Sequence, residues 1–257
     1  MSKMFLRLGA LLVAGFVLST ARADLVAHYT FDNSGDLGAN SGSASIPWGN
    51  FSNVTQTTGL FGAGAGSFVA GTSEAWTPNF GAANANLNNF SLSMHVKQFN
   101  ATNWRDYISI GTGNDVVFVF EDNGTGVSLY NIGNVGGSTA PDLGNLEYSA
   151  TQIDDGEWHH LGLVVTGGNT TLYVDGASQG SATYNGSGTI SAFQLASRFG
   201  DGVRAITAEL DDVGVWNEAL TADQMAYFSA NAIPEPATFS IVLATLGAAL
   251  IRRRRIG

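Results

Sequence analysis

The chain has no cysteine. No disulfide can staple it, and thiol catalysis is excluded. Cations are almost as scarce. Of 11 Lys and Arg, seven lie in the two ends, as Lys3, Arg7, Arg22 and Arg252–Arg255. The interior keeps only Lys97, Arg105, Arg198 and Arg204 against 20 of the 21 acids, or 4 − 20 = −16. Such a surface repels nucleic-acid phosphates and anionic lipid and attracts divalent cations, so nucleic acid is not expected as a partner. No G-x-S-x-G motif marks a nucleophilic serine. There is no tandem repeat and no heptad pattern, and long apolar runs occur only near the ends.

The first end, "MSKMFLRLGALLVAGFVLSTARA" (1–23), reads as a signal peptide. Lys3 and Arg7 form a basic start and Leu8 to Leu18 an apolar segment. Ala21 and Ala23 flank a small-x-small cleavage site, which puts the mature start at Asp24. The other end is "IPEPATFSIVLATLGAALIRRRRIG". Residues 237–251 carry no charge, but 15 residues at ~1.5 Å rise fall short of a ~30 Å hydrocarbon core. Thinning of the bilayer and snorkelling arginines could accommodate the segment. Arg252, Arg253, Arg254 and Arg255 would stay cytoplasmic.

This end resembles the PEP-CTERM sorting signal: Pro234-Glu235-Pro236, an apolar segment (237–251) and a basic tail (252–255), in that order. The resemblance implies a Gram-negative-type bacterium, a transient inner-membrane anchor, recognition by an exosortase-type processing enzyme, and delivery to the cell surface or matrix.

Between the ends, glycine is abundant (33 residues). Short β-rich runs fall at 25–31, 90–99, 107–111, 116–121, 127–132, 159–166, 170–175, 193–197 and 208–216, with turn signals between them. That spacing predicts an all-β sandwich or barrel. In "SLSMHV", Leu92, Met94 and Val96 share one face. The glycine-rich stretch 62–73 reads as a strand connection. One short helix is specified locally. Thr221 and Gln224 form a capping box, Leu220 and Met225 a hydrophobic staple, and Asp223 sits in the first turn.

"DDGEWHHLGLVVTGGNTTLYVDG" (154–176) raises the question of an active site. Two strand-like runs flank a "GGN" turn, so it reads as a hairpin. His159 and His160, adjacent on a strand, point to opposite faces and cannot share one metal from there.

This hairpin resembles the signature of laminin-G-like (concanavalin A-like) domains. "LVAHYTFDNSGDLGANSG", "GLFGAGAGSF", "FSLSMHVK" and "AELDDVGVWNEALTADQMAYF" resemble other parts of that pattern, in order. The resemblance spans about 25–230 and implies a two-sheet antiparallel jelly-roll sandwich of roughly a dozen strands. The expected organisation is a signal peptide (1–23), the sandwich (24–230) with a short C-terminal helix, and a sorting signal (231–257). Helices in the signal and tail would be the membrane segments.

The resemblance also implies a structural Ca²⁺ at Asp32 and Asp211, with Asp212 nearby; the alternative is that these aspartates cap turns or bind loop amides. "AELDDV" bears comparison with laminarinase-type hydrolases, whose acids follow Glu-x-Asp-x-(x)-Glu. Glu209 and Asp211 fit, but the third position is Val213 or Gly214. A retaining mechanism then lacks its partner carboxylate. Trp76, Trp104 and Tyr107 are candidates for stacking on sugar rings. The leading expectation is a non-catalytic binding module for extracellular polysaccharide or a surface protein. A glycosidase or lyase and a structural matrix component are the alternatives.

Overall fold

The computed structural model describes residues 24–98, 104–112, 115–122, 126–131, 144–149, 152–183, 188–198 and 204–235. The strands, in chain order, are β1 (Leu25–Tyr29), β2 (Asn50–Ser52), β3 (Thr55–Thr57), β4 (Ala65–Phe68), β5 (Glu74–Thr77), β6 (Phe90–Gln98), β7 (Arg105–Thr112) and β8 (Asp115–Asp122). They continue as β9 (Val127–Asn131), β10 (Gly144–Ser149), β11 (Trp158–Thr166), β12 (Asn169–Val174), β13 (Ala177–Thr183), β14 (Ala192–Leu195) and β15 (Ala208–Trp216), followed by helix α1 (Ala222–Phe228).

Two antiparallel sheets face each other. The eight-stranded sheet runs β13-β12-β11-β6-β15-β4-β3, with β1 paired to β15. The seven-stranded sheet runs β10-β9-β8-β7-β14-β5-β2. Long-range neighbours such as β6 with β15 make this a jelly-roll sandwich rather than a meander.

Alternation places the core between the sheets. Leu92, Met94 and Val96 of β6, Leu161, Leu163 and Val165 of β11, and Ile108, Ile110, Phe193 and Leu195 of the facing sheet are all buried there. Phe193 stacks on Phe80 with centroids 5.0 Å apart and also meets Tyr29 and Trp48. The predicted hairpin is β11-β12, closed by Gly167 and Gly168 at φ 58° and 83°. Positive φ at both central positions matches the right-handed twist of the strands, which is why glycine stands there.

A second apolar cluster lies on the outer side of the eight-stranded sheet. Leu25, Val164, Tyr173 and Trp216 of the strands pack with Leu220, Met225, Phe228 and Ile233 of the C-terminal segment. Helix α1 has the expected capping box: Thr221 Oγ1 accepts from Gln224 N–H, and Gln224 Oε1 accepts from Thr221 N–H. Leu220 and Met225 meet in this cluster, as a staple requires.

Two sequence expectations change. The strand count is 15 among the described residues rather than about a dozen. Polar edge strands such as β3 (TQT) and β13 (ASQGSAT) have no apolar alternation to announce them. Stretch 62–73 is not only a connection, because β4 lies within it. Residues 1–23, with Ala21 and Ala23, and 236–257, with Pro236 and Arg252–Arg255, lie outside the described residues. Among the described residues no helix is long and apolar enough to cross a membrane.

Candidate functional site

The outward face of the seven-stranded sheet begins at a bulge. Asp106 pairs with Glu121 and Ile108 with Phe120, so Tyr107 is the extra residue on β7. The bulge sends Tyr107 and Ile108 both inward and leaves Asp106 and Ser109 outward. Tyr107 is fully buried in the core, where its hydroxyl donates to Gln98 Oε1. Tyr107 is therefore corrected from a sugar-stacking residue to a core residue, because it offers no face to a ligand.

Asp106 and Glu121 lie directly opposite on neighbouring strands, both buried, and Glu121 Oε1 has no hydrogen-bond partner among the described residues. Two carboxylates so close cannot both ionise freely. Two of the four interior cations meet them. Arg198 grips Asp106 through Nε at 2.6 Å and Nη2 at 3.3 Å, and Nη2 also reaches Glu121 Oε2 at 3.1 Å. Arg204 Nη1 donates to the same Oε2 at 2.7 Å. Burial pushes the Asp106 carboxyl up to about 7 despite the Arg198 guanidinium. Burial also raises Glu121, against the pull of both arginines.

A second outward row crosses the same sheet in register: Asn50, Trp76, Gln194, Ser109. Ser109 Oγ donates to Ser197 O at 2.5 Å. The Trp76 indole N–H is buried without a hydrogen-bond partner. Trp104, just before β7, is 51% exposed at φ 64°, and its N–H donates to Asp122 O at 2.7 Å. A bulky residue in the left-handed region is strained, and such strain collects at functional sites. Trp76 lies on the same outward face as the arginine–carboxylate network, and Trp104 immediately precedes β7, the strand that carries Asp106. The network itself was missed by sequence reasoning. Its signal was the scarcity of cations, two of which lie just before β15.

The opposite outward face, on the eight-stranded sheet, holds the three aspartates expected to bind Ca²⁺. Asp32 Oδ1 accepts from the N–H groups of Ala63 and Gly64, the latter at 2.8 Å. Asp211 Oδ2 accepts from Leu60 and Phe61 N–H at 2.8 and 3.0 Å. Asp32 and Asp211 therefore converge on one loop, 60–64, and anchor it. Asp212 turns elsewhere. Its Oδ1 meets His28 Nε2 at 2.6 Å and its Oδ2 accepts from Ile233 N–H at 2.6 Å. One oxygen each of Asp32 and Asp211 and both of Asp212 are thus taken, and Asp212 turns away from the other two, so the three carboxylates are not gathered into a Ca²⁺ cage of six to eight oxygens. Among the described residues no group of three or more His, Asp or Glu is arranged to hold a metal.

A bulge also explains the acids of β15. The register shifts between Asp211 and Gly214, with Asp212 at φ 49°. Leu210, Val213 and Val215 point into the core. The outward position left for a third acid is Gly214, where a Cβ would lie 2.6 Å from Ile233 Cδ1. Glu209 is held by Thr57 Oγ1 at 3.2 Å and lies 3.9 Å from Lys97 Nζ.

The paired histidines do point apart. His160 is 1% exposed on the outward face, with Nε2 2.9 Å from Ser93 Oγ and its ring 5.2 Å from that of His95. Burial drives His160 down to about 3 and lowers His95. His159, at the sandwich end, lies 3.0 Å from Asp175 and 3.2 Å from Asp155, which raise it.

No curated protein matches the chain in sequence. Several solved structures share its fold. Domain 4 of an extracellular arabinanase from Geobacillus stearothermophilus, solved with arabinotriose, is 22% identical with a TM-score of 0.59 over 80% of this chain and 98% of that one. The receptor-binding domain of botulinum neurotoxin type G is 12% identical, TM-score 0.56, over 80% of this chain and 51% of that one. A Trypanosoma rangeli sialidase in complex with sialic acid is 15% identical, TM-score 0.55, over 80% and 32%. The sequence model of the concanavalin A-like lectin/glucanases superfamily matches residues 70–226. The chain belongs to that superfamily.

Proposed function

We propose that the chain is an exported, non-catalytic binding module of the cell surface or matrix, with a carbohydrate as ligand. Trp104 carries this reading. An indole left half in solvent forgoes burial worth about 1–2 kcal/mol, and its left-handed backbone costs about 1 kcal/mol more. Both costs make sense if the ring is a platform for a sugar. The net charge of −16 over the interior favours a neutral glycan over an anionic one. Relatives by fold give support: one is an arabinanase domain solved with arabinotriose, another a toxin's receptor-binding domain. Export would use the signal peptide, and Pro234-Glu235-Pro236 with its apolar segment and arginines would hand the chain to an exosortase-type enzyme of a Gram-negative-type envelope.

The test is binding to a glycan array and to exopolysaccharide fractions, with wild type beside Trp104→Ala. Trp104→Ala should weaken binding ~10- to 100-fold, the range of an aromatic hot spot, with an unchanged melting temperature. Binding to no glycan, or equal binding by the variant, would overturn the reading.

One observation favours a glycosidase instead. Asp106, pushed up to about 7 beside Glu121, resembles a general acid paired with a carboxylate. Occupation argues against it: Arg198 bridges the two buried carboxyls and Arg204 also holds Glu121, so neither acid is open to a substrate. Reducing-sugar release that disappears in Glu121→Gln, or in Glu209→Gln, would revive the enzymatic reading.

A further inference from the structure

The C-terminal segment leaves α1 and is fastened twice before the tail begins. Ser229 O lies 3.4 Å from His95 Nε2. Four residues on, Ile233 N–H donates to Asp212 Oδ2 at 2.6 Å, while its side chain, 4% exposed, fills the space over Gly214. Between these points Asn231 Nδ2 donates to Tyr227 O at 2.9 Å and ties the segment back to α1. Asp212 is itself held by His28, whose other ring nitrogen lies 2.9 Å from Ser41 Oγ. Pulling Ile233 away would strip a buried carboxylate of one donor and open an apolar site over β15. The next residue is Pro234. No slack chain separates the folded domain from the motif.

We propose that residues 229–233 form a strap that confines removal of the C-terminal tail to bonds at or beyond Ile233–Pro234, so that the finished domain keeps the strap. The proposal rests on reading the tail as a sorting signal. A processing enzyme must draw several residues on both sides of the scissile bond into an extended form. Residues 230–232 are exposed but pinned at both ends, by Ser229 on β6 and Ile233 on β15, and cannot extend while both ties hold. Residues after it carry no such ties up to Glu235, the last described position, which is exposed. Gly214 is part of the device: any side chain on the outward face there would displace Ile233.

Two arms test this on the full chain. In the first, it is expressed in a bacterium carrying an exosortase-type enzyme, and intact mass gives the C-terminus of the surface form. An end at or beyond Ile233 is expected. An end between residues 222 and 232 overturns the strap. A chain left uncut counts against the sorting reading, and the second arm then decides the strap alone. In that arm, full-length protein in detergent is digested by a protease of broad specificity, comparing wild type with Ile233→Asp and the milder Ile233→Ala. Wild type should be trimmed to a core ending at or beyond Ile233. Ile233→Asp, which sets a second carboxylate against Asp212, should be trimmed back into 229–232 at least ~10-fold faster. If Ile233→Asp fails to fold, Ile233→Ala gives the same readout with a smaller acceleration. Trimming of the folded variants at the wild-type bond and rate overturns the proposal.

Discussion

On the outward face of the eight-stranded sheet, carboxylates are satisfied by backbone amides and imidazoles beneath α1 and loop 60–64. On the outward face of the seven-stranded sheet, Asp106 and Glu121 are satisfied by two guanidinium groups. The difference is one of reach. An amide donor needs a chain segment laid directly on the sheet, and that segment seals the face. A guanidinium arrives on a long stem from a neighbouring loop, so the face can be charged and polar without a covering helix. Both arrangements leave their carboxylates dry: Asp211 and Asp212 are 1% and 2% exposed, and Asp106 and Glu121 0% and 1%.

The comparison breaks most sharply at Arg198. Arg198→Ala would leave Asp106 and Glu121 buried with Arg204 alone. Removing one member of a buried ionic cluster costs about 3–5 kcal/mol, to be measured by urea unfolding. A loss below about 1 kcal/mol would mean that water already enters the network. On the opposite face, Thr221→Ala removes the cap of α1 and should cost about 1 kcal/mol. It should also raise proteolysis of the strap that follows the helix.

pH acts on buried groups of both faces, with a smaller effect. His160 and His95 are held neutral, below their ordinary value near 6.5. Their contribution is complete above pH 6.5 and is lost as pH falls toward about 3, the value reached by His160. Asp106 and Asp211, both pushed up to about 7 from 3.8, act in the opposite sense. Their folded forms hold protons that the unfolded chain releases, so stability from them is full below pH 3.8 and is lost as pH rises through 7. Between pH 7 and 5 these trends oppose each other. His160→Gln should therefore make the change in melting temperature on acidification more favourable than in wild type, and Asp106→Asn should make it less favourable. Parallel shifts in both variants would contradict the assignment. The smallest effect is expected from Ca²⁺. Because loop amides already occupy Asp32 and Asp211, exchanging EDTA for Ca²⁺ should leave the melting temperature within about 1 °C. A rise of several degrees that vanishes in Asp32→Ala would instead place an ion there.

Much of this architecture is written locally. The hairpin of β11 and β12 follows from alternation and two glycines, and α1 follows from Thr221, Gln224, Leu220 and Met225 within six positions. Alternation also assigns Leu92, Met94 and Val96 to the core. It fails past a bulge, since one extra residue reverses every side chain beyond it. That is how Tyr107 passes from a stacking candidate to the core, and how Val213 turns inward after Asp211 and Asp212. The candidate site was less legible because its members come from β7, β8 and the segments around 198 and 204, which no short motif joins.

The sequence by itself determined the periods, caps and turns, and hence a β-sandwich with one closing helix, because those depend on residues within a turn or two of each other. Only the tertiary structure decided which polar groups are buried. His160 points outward from its sheet and is nonetheless dry, because Met225, some 65 positions later, is laid over Gly162 beside it. His159 takes the opposite direction and stays partly exposed at the end of the sandwich. Burial depends on what the rest of the chain places on top, and that information is not local.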